Sequence, residues 1–491
     1  MIVDITPAGP EAGRQPPRAS AARNASVLGV ATIVARLLMF GMAIVLARRL
    51  GAESYGRYAL AVAIGVVLQP VADFGLTPYL SREAARDHRA AEATLPVLVL
   101  AKAGAFVVVF GSTLLVAALA STDSALVAVI AVTVLACLAD GVSMFVYAYF
   151  QGREAMAFEA RSTAGAAIVR AVGAMIIAVA FGALGPVVAW ILLVALAQCG
   201  WAVWRLRRSI GPEVTLRPRR RAGAVQWASV GSMGLIAIFV MIYLRVDSVL
   251  IGVLQDARAV GLYAAAYTLM LAAQIPPWMI ATALTPAFAR SYGGDRPAFV
   301  AAWHQGLRAV LLISLPITLT TTVLAGPLIS RFYGDEFAAS AGLLALLIWV
   351  GPLGAISLIT QAALRGAGRE FWLVAVSGTC AGVNVAANLW AIPRYGVEGA
   401  AVVTLVTEGA NTVALVSLSL RAGIVPIPRL PIAQAALACA ALAGVAVVLS
   451  ALPVELAMGG ALVAYVAVLI VTRAIGAADF ERLRRALRGP D

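Results

Sequence analysis

The 491-residue chain has little charge: 12% of its residues are Asp, Glu, Lys or Arg, while 62% are hydrophobic. A soluble domain carries about 25% charged residues. This chain cannot cover itself with a hydrated surface, so most of it must face lipid or other apolar helices. It has one lysine, Lys102, and two histidines, His88 and His304. No glycine-rich loop precedes Lys102, which excludes a P-loop ATPase. Neither histidine is followed by Arg-Asp, so Asp73-Phe74-Gly75 is not the magnesium-binding tripeptide of a protein kinase. The four cysteines, Cys137, Cys199, Cys380 and Cys439, lie in apolar runs without metal-ligand spacing. Neither a disulfide framework, a zinc site nor a cofactor is expected. The ten-residue alternation of an outer-membrane barrel is missing as well.

What is present is a succession of apolar stretches long enough to cross a bilayer as helices, at about 20 residues each. Fourteen are read between residues 26 and 472, among them 58–80, 162–181 and 259–285. The expected fold is an all-α polytopic membrane protein. Residues 1–24 are polar and carry no cleavable signal, so the first span would serve as the insertion signal.

The net charge of +13 has a topological distribution. The N-terminal tail, the even-numbered loops and the C-terminal tail hold 26 of the 37 Lys and Arg residues, and the odd-numbered loops hold 6. That asymmetry follows the positive-inside rule and predicts that both termini are cytoplasmic. The basic excess therefore does not point to nucleic acid. Its densest part, Trp204 to Arg221, reads as a linker held at an anionic leaflet.

Short echoes suggest a duplication. Gly56-Arg57-Tyr58-Ala59 returns as Gly261-Leu262-Tyr263-Ala264, 205 residues later. Gly152-Arg153-Glu154 returns as Gly368-Arg369-Glu370 after 216 residues, and Gly182-Ala183-Leu184-Gly185 as Gly396-Val397-Glu398-Gly399 after 214. Six spans per repeat bring the chain back to one side, which implies two bundles related by a pseudo-two-fold axis along the membrane normal. The expected organisation is a cytoplasmic tail (1–24), a six-helix bundle (25–204), a basic linker (205–224), a second six-helix bundle (225–421), two extra spans (422–475) and a basic tail (476–491).

Charged groups inside spans are disfavoured by about 2.5–3.5 kcal/mol each, so they mark function by default. The cations are Arg36, Lys102, Arg170, Arg245 and Arg308, and the acids Asp73, Asp140, Asp247 and Glu408. Helical spacing aligns Gln69 with Asp73 and Thr77. It also aligns Tyr263, Tyr267, Met270 and Gln274, and places Asn384 with Asn388. Arg245 and Asp247, two apart, point to different sides. The cations are read as candidates for a phosphate-binding cavity, since arginine offers a planar fork of donors and stays charged when desolvated. Gln69, Tyr263, Tyr267, Gln274, Asn384 and Asn388 are the candidate sugar-facing groups. The acids are either partners of the cations or carriers of a coupling ion, H+ or Na+.

With these residues in view, the chain resembles the Wzx-type polysaccharide flippases of the multidrug/oligosaccharidyl-lipid/polysaccharide superfamily. The resemblance rests on the hairpin Leu50 to Tyr58, on Asp73-Phe74-Gly75-Leu76, on Phe150-Gln151-Gly152-Arg153, and in the second half on Arg245-Val246-Asp247, Val260-Gly261-Leu262-Tyr263 and Arg365 to Arg369. It implies a translocase, not an enzyme. Its cargo would be an undecaprenyl-pyrophosphate-linked oligosaccharide, moved by alternating access, with the pyrophosphate meeting Arg36 and Arg245. Membrane lipids and the polysaccharide polymerase or glycosyltransferase machinery would be its partners. The alternatives are a drug or cation antiporter of the same superfamily and a membrane glycosyl polymerase or ligase. For the last, the nearest thing to a catalytic cluster is Asp335-Glu336 in the ninth loop.

Overall fold

The computed structural model describes residues 18–153, 156–210, 225–427 and 432–472. Most of the basic linker, the extreme N-terminus and the C-terminal tail fall outside the described residues. Those described are overwhelmingly helical and contain no strand. The first half consists of α1 (Arg18–Asp73), α2 (Leu76–Arg86), α3 (His88–Ala120), α4 (Ser124–Gly152), α5 (Met156–Phe181) and α6 (Leu184–Ile210). The second consists of α7 (Trp227–Leu254), α8 (Ala257–Ala273), α9 (Ile275–Ser291), α10 (Arg296–Val323), α11 (Ala325–Phe332), α12 (Ser340–Leu347), α13 (Val350–Gly366) and α14 (Glu370–Arg421). Two further helices follow, α15 (Ile432–Val448) and α16 (Val454–Val471). Helix α6 continues through the predicted start of the linker at residue 205 as far as Ile210.

Two of these helices are hairpins. In α14 the backbone leaves helical geometry at Gly396, with φ 58°. Asn384 donates to Thr407 at 2.9 Å and Ser377 to Asn411 at 3.3 Å. Residues more than 20 apart along a straight helix would be more than about 30 Å apart, so the two halves of α14 run back to back. Helix α1 turns in the same way at Gly51, with φ 76°, a conformation that glycine adopts without strain. Residues on both sides of that turn, such as Met39 and Val62, line one cavity.

Nine described helices are long and apolar enough to cross a membrane. Two bent pairs raise the number to eleven: the second half of α1 with α2, at 47°, and α8 with α9, at 41°. The second arm of α14, the first arm of α1 and the shorter apolar α15 complete the fourteen crossings read from the sequence. The two bends differ from the continuous spans expected at 58–80 and 259–285. The first lies at Phe74 and Gly75, which both have positive φ. The second lies at Gln274, ahead of Pro276 and Pro277, whose rings cannot extend the preceding helix. They fall in spans two and eight, at corresponding places in the two halves.

The pseudo-two-fold axis is visible at atomic scale where α1 crosses α8. A Cβ placed on Gly56 would lie 1.6 Å from the carbonyl oxygen of Ala257, and one on Gly261 would lie 2.0 Å from that of Ala52. Positions 52 and 257, like 56 and 261, are 205 residues apart. Each half therefore presents the same small residue to the same partner, as a two-fold contact requires. The extra helices α15 and α16 pack on each other and on α10, where the Tyr465 hydroxyl donates to the Leu312 carbonyl at 3.2 Å.

Candidate functional site

A cavity of about 870 Å³ lies between the halves. The first half lines it with α1 and α5, the second with α7, α8 and the start of α9. Its charged residues are Arg36, Glu159 and Arg245, so cations outnumber acids two to one. Arg36 comes from the first half, yet its guanidinium sits 4.4 Å from the ring centre of Trp278 in the second. Arg245 lies 5.4 Å over the ring of Tyr267. Such stacking holds the charge through its face and leaves the edge donors of the fork available to a ligand. Tyr55 and Tyr58 add aromatic wall, and Thr163, Ser248 and Thr268 add hydroxyls.

Three of the predicted residues, Arg36, Arg245 and Tyr267, thus meet in one place. Arg170 and Lys102 do not line this cavity. Arg170 makes a two-pronged ion pair with Asp140, both contacts at 2.7 Å. Lys102, 5% exposed, pairs with Asp73 at 2.5 Å, and Thr77 donates to the same carboxylate. Arg308, near the middle of α10, is likewise not among the lining residues. Asp247 turns away from Arg245, as its position two residues on requires. It is buried, accepts from the Tyr263 hydroxyl, and receives the Ser248 N–H at 2.7 Å. Glu408 accepts from Tyr243 at 2.6 Å.

The amide residues have packing roles. Gln69 donates to the Met144 sulfur at 3.3 Å and lies against Gly141; Gln274 donates to the Met270 sulfur at 3.1 Å and lies against Gly354. Asn388 donates to Asn384 at 3.0 Å inside the α14 hairpin. These groups stiffen the helices behind the cavity and do not face it.

Sequence reading missed Glu159, Tyr55 and Tyr58 as cavity residues. Glu159 precedes the predicted span 162–181, but α5 begins at Met156 and carries it in its first turn. There it accepts from Gln151 at 2.7 Å. The tyrosines had a usable signal: 55, 58, 59 and 62 follow the spacing of one helical face, and all four line the cavity.

At the end of the cavity marked by Tyr55, the ninth loop reaches over from the second half. Glu336 accepts from the N–H of Ala52 at 2.8 Å, at the start of the second arm of α1. A carboxylate at that position caps free amides and complements the helix dipole. Phe337 stacks edge-on with Tyr55 at 6.2 Å. Of the Asp335-Glu336 pair in the ninth loop, Glu336 thus serves as a clasp between the halves.

Among solved structures, the chain is similar to the lipid II flippase MurJ in an inward closed conformation, with a TM-score of 0.73 and 12% identity over 91% of this chain and 99% of that one. It is also similar to an inward-facing multidrug resistance MATE family transporter of the MOP superfamily (TM-score 0.61, 14% identity, 79% and 94% covered). A MOP superfamily transporter from Pyrococcus furiosus aligns with a TM-score of 0.56 and 16% identity over 81% and 94%. At these identities the likeness concerns the fold. No curated protein matches the chain in sequence. Residues 233–390 match the MatE family, and residues 21–292, more than half of the chain, match the family described as polysaccharide biosynthesis protein. The chain belongs to that polysaccharide biosynthesis family, as a multi-span membrane protein with the fold of the MOP superfamily transporters.

Proposed function

We propose that the protein flips an undecaprenyl-pyrophosphate-linked oligosaccharide across the cytoplasmic membrane for cell-surface polysaccharide assembly. The observation that carries this reading is the meeting of Arg36 and Arg245, one from each half, in one cavity with a single acid. A pyrophosphate between them would receive charge-assisted hydrogen bonds from both halves at once. Tyr55, Tyr58 and Tyr267 supply surfaces against which sugars stack, and the polyprenyl tail stays in lipid. Transport then follows from opening the cavity alternately at its two ends. The glycine crossing at Gly56 and Gly261, with the Glu336 clasp, forms one closure. The approach of Gly75 to α7, where a Cβ would lie 2.2 Å from the Val230 carbonyl, forms the other.

A coupling ion belongs to the same proposal. Asp73 and Asp140 already have cationic partners, whereas Asp247 and Glu408 make no ion pair among the described residues. These two acids are the ones able to exchange a proton or Na+ during the cycle. In this reading both termini are cytoplasmic, on the side where glycosyltransferase machinery would deliver the cargo, and a polymerase would receive it on the other side.

The test is reconstitution in liposomes with an undecaprenyl-pyrophosphate oligosaccharide, with and without proton and sodium gradients. Protein-dependent flipping that Arg36→Ala and Arg245→Ala each reduce by more than about tenfold is expected. Normal flipping by both variants would remove the pyrophosphate site. Transport of a cationic drug in place of the glycolipid would install the antiporter reading, which the MatE match and Glu159 favour.

A further inference from the structure

A second cleft, of about 610 Å³, lies on the outer side of the first half, between the start of α5 and the end of α6. It is separate from the central cavity because the two use different faces of α5. Glu159, Thr163 and Ala167 face the centre, while Phe158, Arg161 and Ser162 face the cleft. The opposite wall is Trp201, Trp204 and Arg205 of α6.

The floor is apolar and held rigidly. Phe158 packs edge-on against Tyr147 at 5.7 Å and lies 5.0 Å from Phe150. The Tyr147 hydroxyl is bonded to Ser162 at 2.7 Å and receives Gln198 at 3.2 Å. The rim is cationic. Arg161 and Arg205 line the cleft, and Arg208 stacks 4.3 Å over Trp204. Among the described residues none of the three pairs with a carboxylate. Trp201 and Trp204 stack on each other at 4.8 Å and are 51% and 41% exposed, next to the last turn of α6 with its Arg207 and Arg208. Exposed tryptophans beside arginines at a helix end mark the headgroup level of a bilayer.

We propose that this cleft binds an anionic glycerophospholipid of the leaflet on the basic side. Its phosphate would lie between Arg161 and Arg205, and its acyl chain along Phe158 and the tryptophans. The charge decides the class: a zwitterionic lipid brings its own cation to a rim that already holds three unpaired ones. The apolar floor decides against a free anion, which would leave that surface to water. The site would pin α6, the last helix before the linker, to the membrane.

The experiment is native mass spectrometry of the full chain in neutral detergent, titrated separately with phosphatidylglycerol, phosphatidylcholine and inorganic phosphate. One phosphatidylglycerol should be retained preferentially, and Arg161→Gln with Arg205→Gln should weaken its binding by about tenfold or more. Arg394→Gln removes another exposed arginine stacked on a tryptophan, 5.0 Å over Trp390 just before the Gly396 turn of α14, and should leave binding unchanged. Equal retention by the double variant would overturn the proposal, as would equal binding of phosphatidylcholine or displacement by inorganic phosphate. Stronger competition by a polyprenyl-pyrophosphate glycan would also overturn it, making the cleft an entry point for cargo. Independently of any variant, a photoactivatable phosphatidylglycerol should label residues 157–162 and 201–208; labelling confined to other segments would refute it. Neither readout involves transport, so the result stands apart from that of the flipping assay.

Discussion

The two halves share a fold and treat their buried acids differently. In the first half the two aspartates inside the spans face cations: Asp73 with Lys102, and Asp140 with Arg170. In the second half Asp247 and Glu408 are held by tyrosine hydroxyls. The position 214 residues after Arg170, the offset of Gly182 from Gly396, is Asn384, which bonds to Thr407. Duplication thus preserved the backbone plan while one copy kept neutralised ion pairs and the other kept acids with neutral donors. An ion pair of this kind locks two helices together. An acid held by neutral donors can change its protonation or bind a small cation without stranding a buried positive charge.

The axis relating the halves is best broken at its closest point. Gly56→Val and Gly261→Val should each prevent the crossing of α1 and α8, abolish flipping, and lengthen the distance between spin labels placed on these two helices. Equivalent effects are expected because the contacts are two-fold copies, and a marked inequality would argue against a symmetric closure. Next in size is Arg170→Leu, which strands Asp140 and should destabilise the protein by about 3–5 kcal/mol, read as a lowered melting temperature in detergent. Arg170→Leu combined with Asp140→Leu should recover most of that loss. If it did not, the pair would have a role beyond mutual neutralisation.

The second half should respond more mildly. Tyr243→Phe and Tyr263→Phe each remove one donor from a carboxylate and should lower stability by about 1–3 kcal/mol. Their larger signature should be an altered response of flipping to proton or sodium gradients, a response that Lys102→Leu should not share. The smallest effect belongs to the clasp. Glu336→Ala removes a partly buried hydrogen bond to Ala52 and should change stability by about 1 kcal/mol, while increasing the rate at which a probe reaches Tyr55 from that end.

Much of this arrangement was legible in the residues. The class, the fourteen crossings and the duplication follow from apolar length and from echoes such as Gly56 and Gly261, because lipid tolerates only helices whose backbone bonds are internally satisfied. The opposite directions of Arg245 and Asp247 follow from their separation by two. Span edges were less legible: α5 starts six residues before its predicted span, which hid Glu159. A polar helix end beyond the bilayer has no apolar run to announce it.

Which buried charges meet was not legible at all. Arg36, Arg170 and Lys102 are alike in sequence, each a single cation in an apolar span. Only packing separates them, by bringing Asp140 to Arg170 and Asp73 to Lys102 while leaving Arg36 on Trp278 at the junction of the halves. Glu336 was likewise a loop acid until the fold brought it 2.8 Å from the amide of Ala52, 284 residues away in the chain. Hydropathy is a local property, set by each segment's transfer to lipid, and one sequence suffices to read it. Charge pairing depends on distances between segments far apart in the chain, and only the tertiary structure determines them.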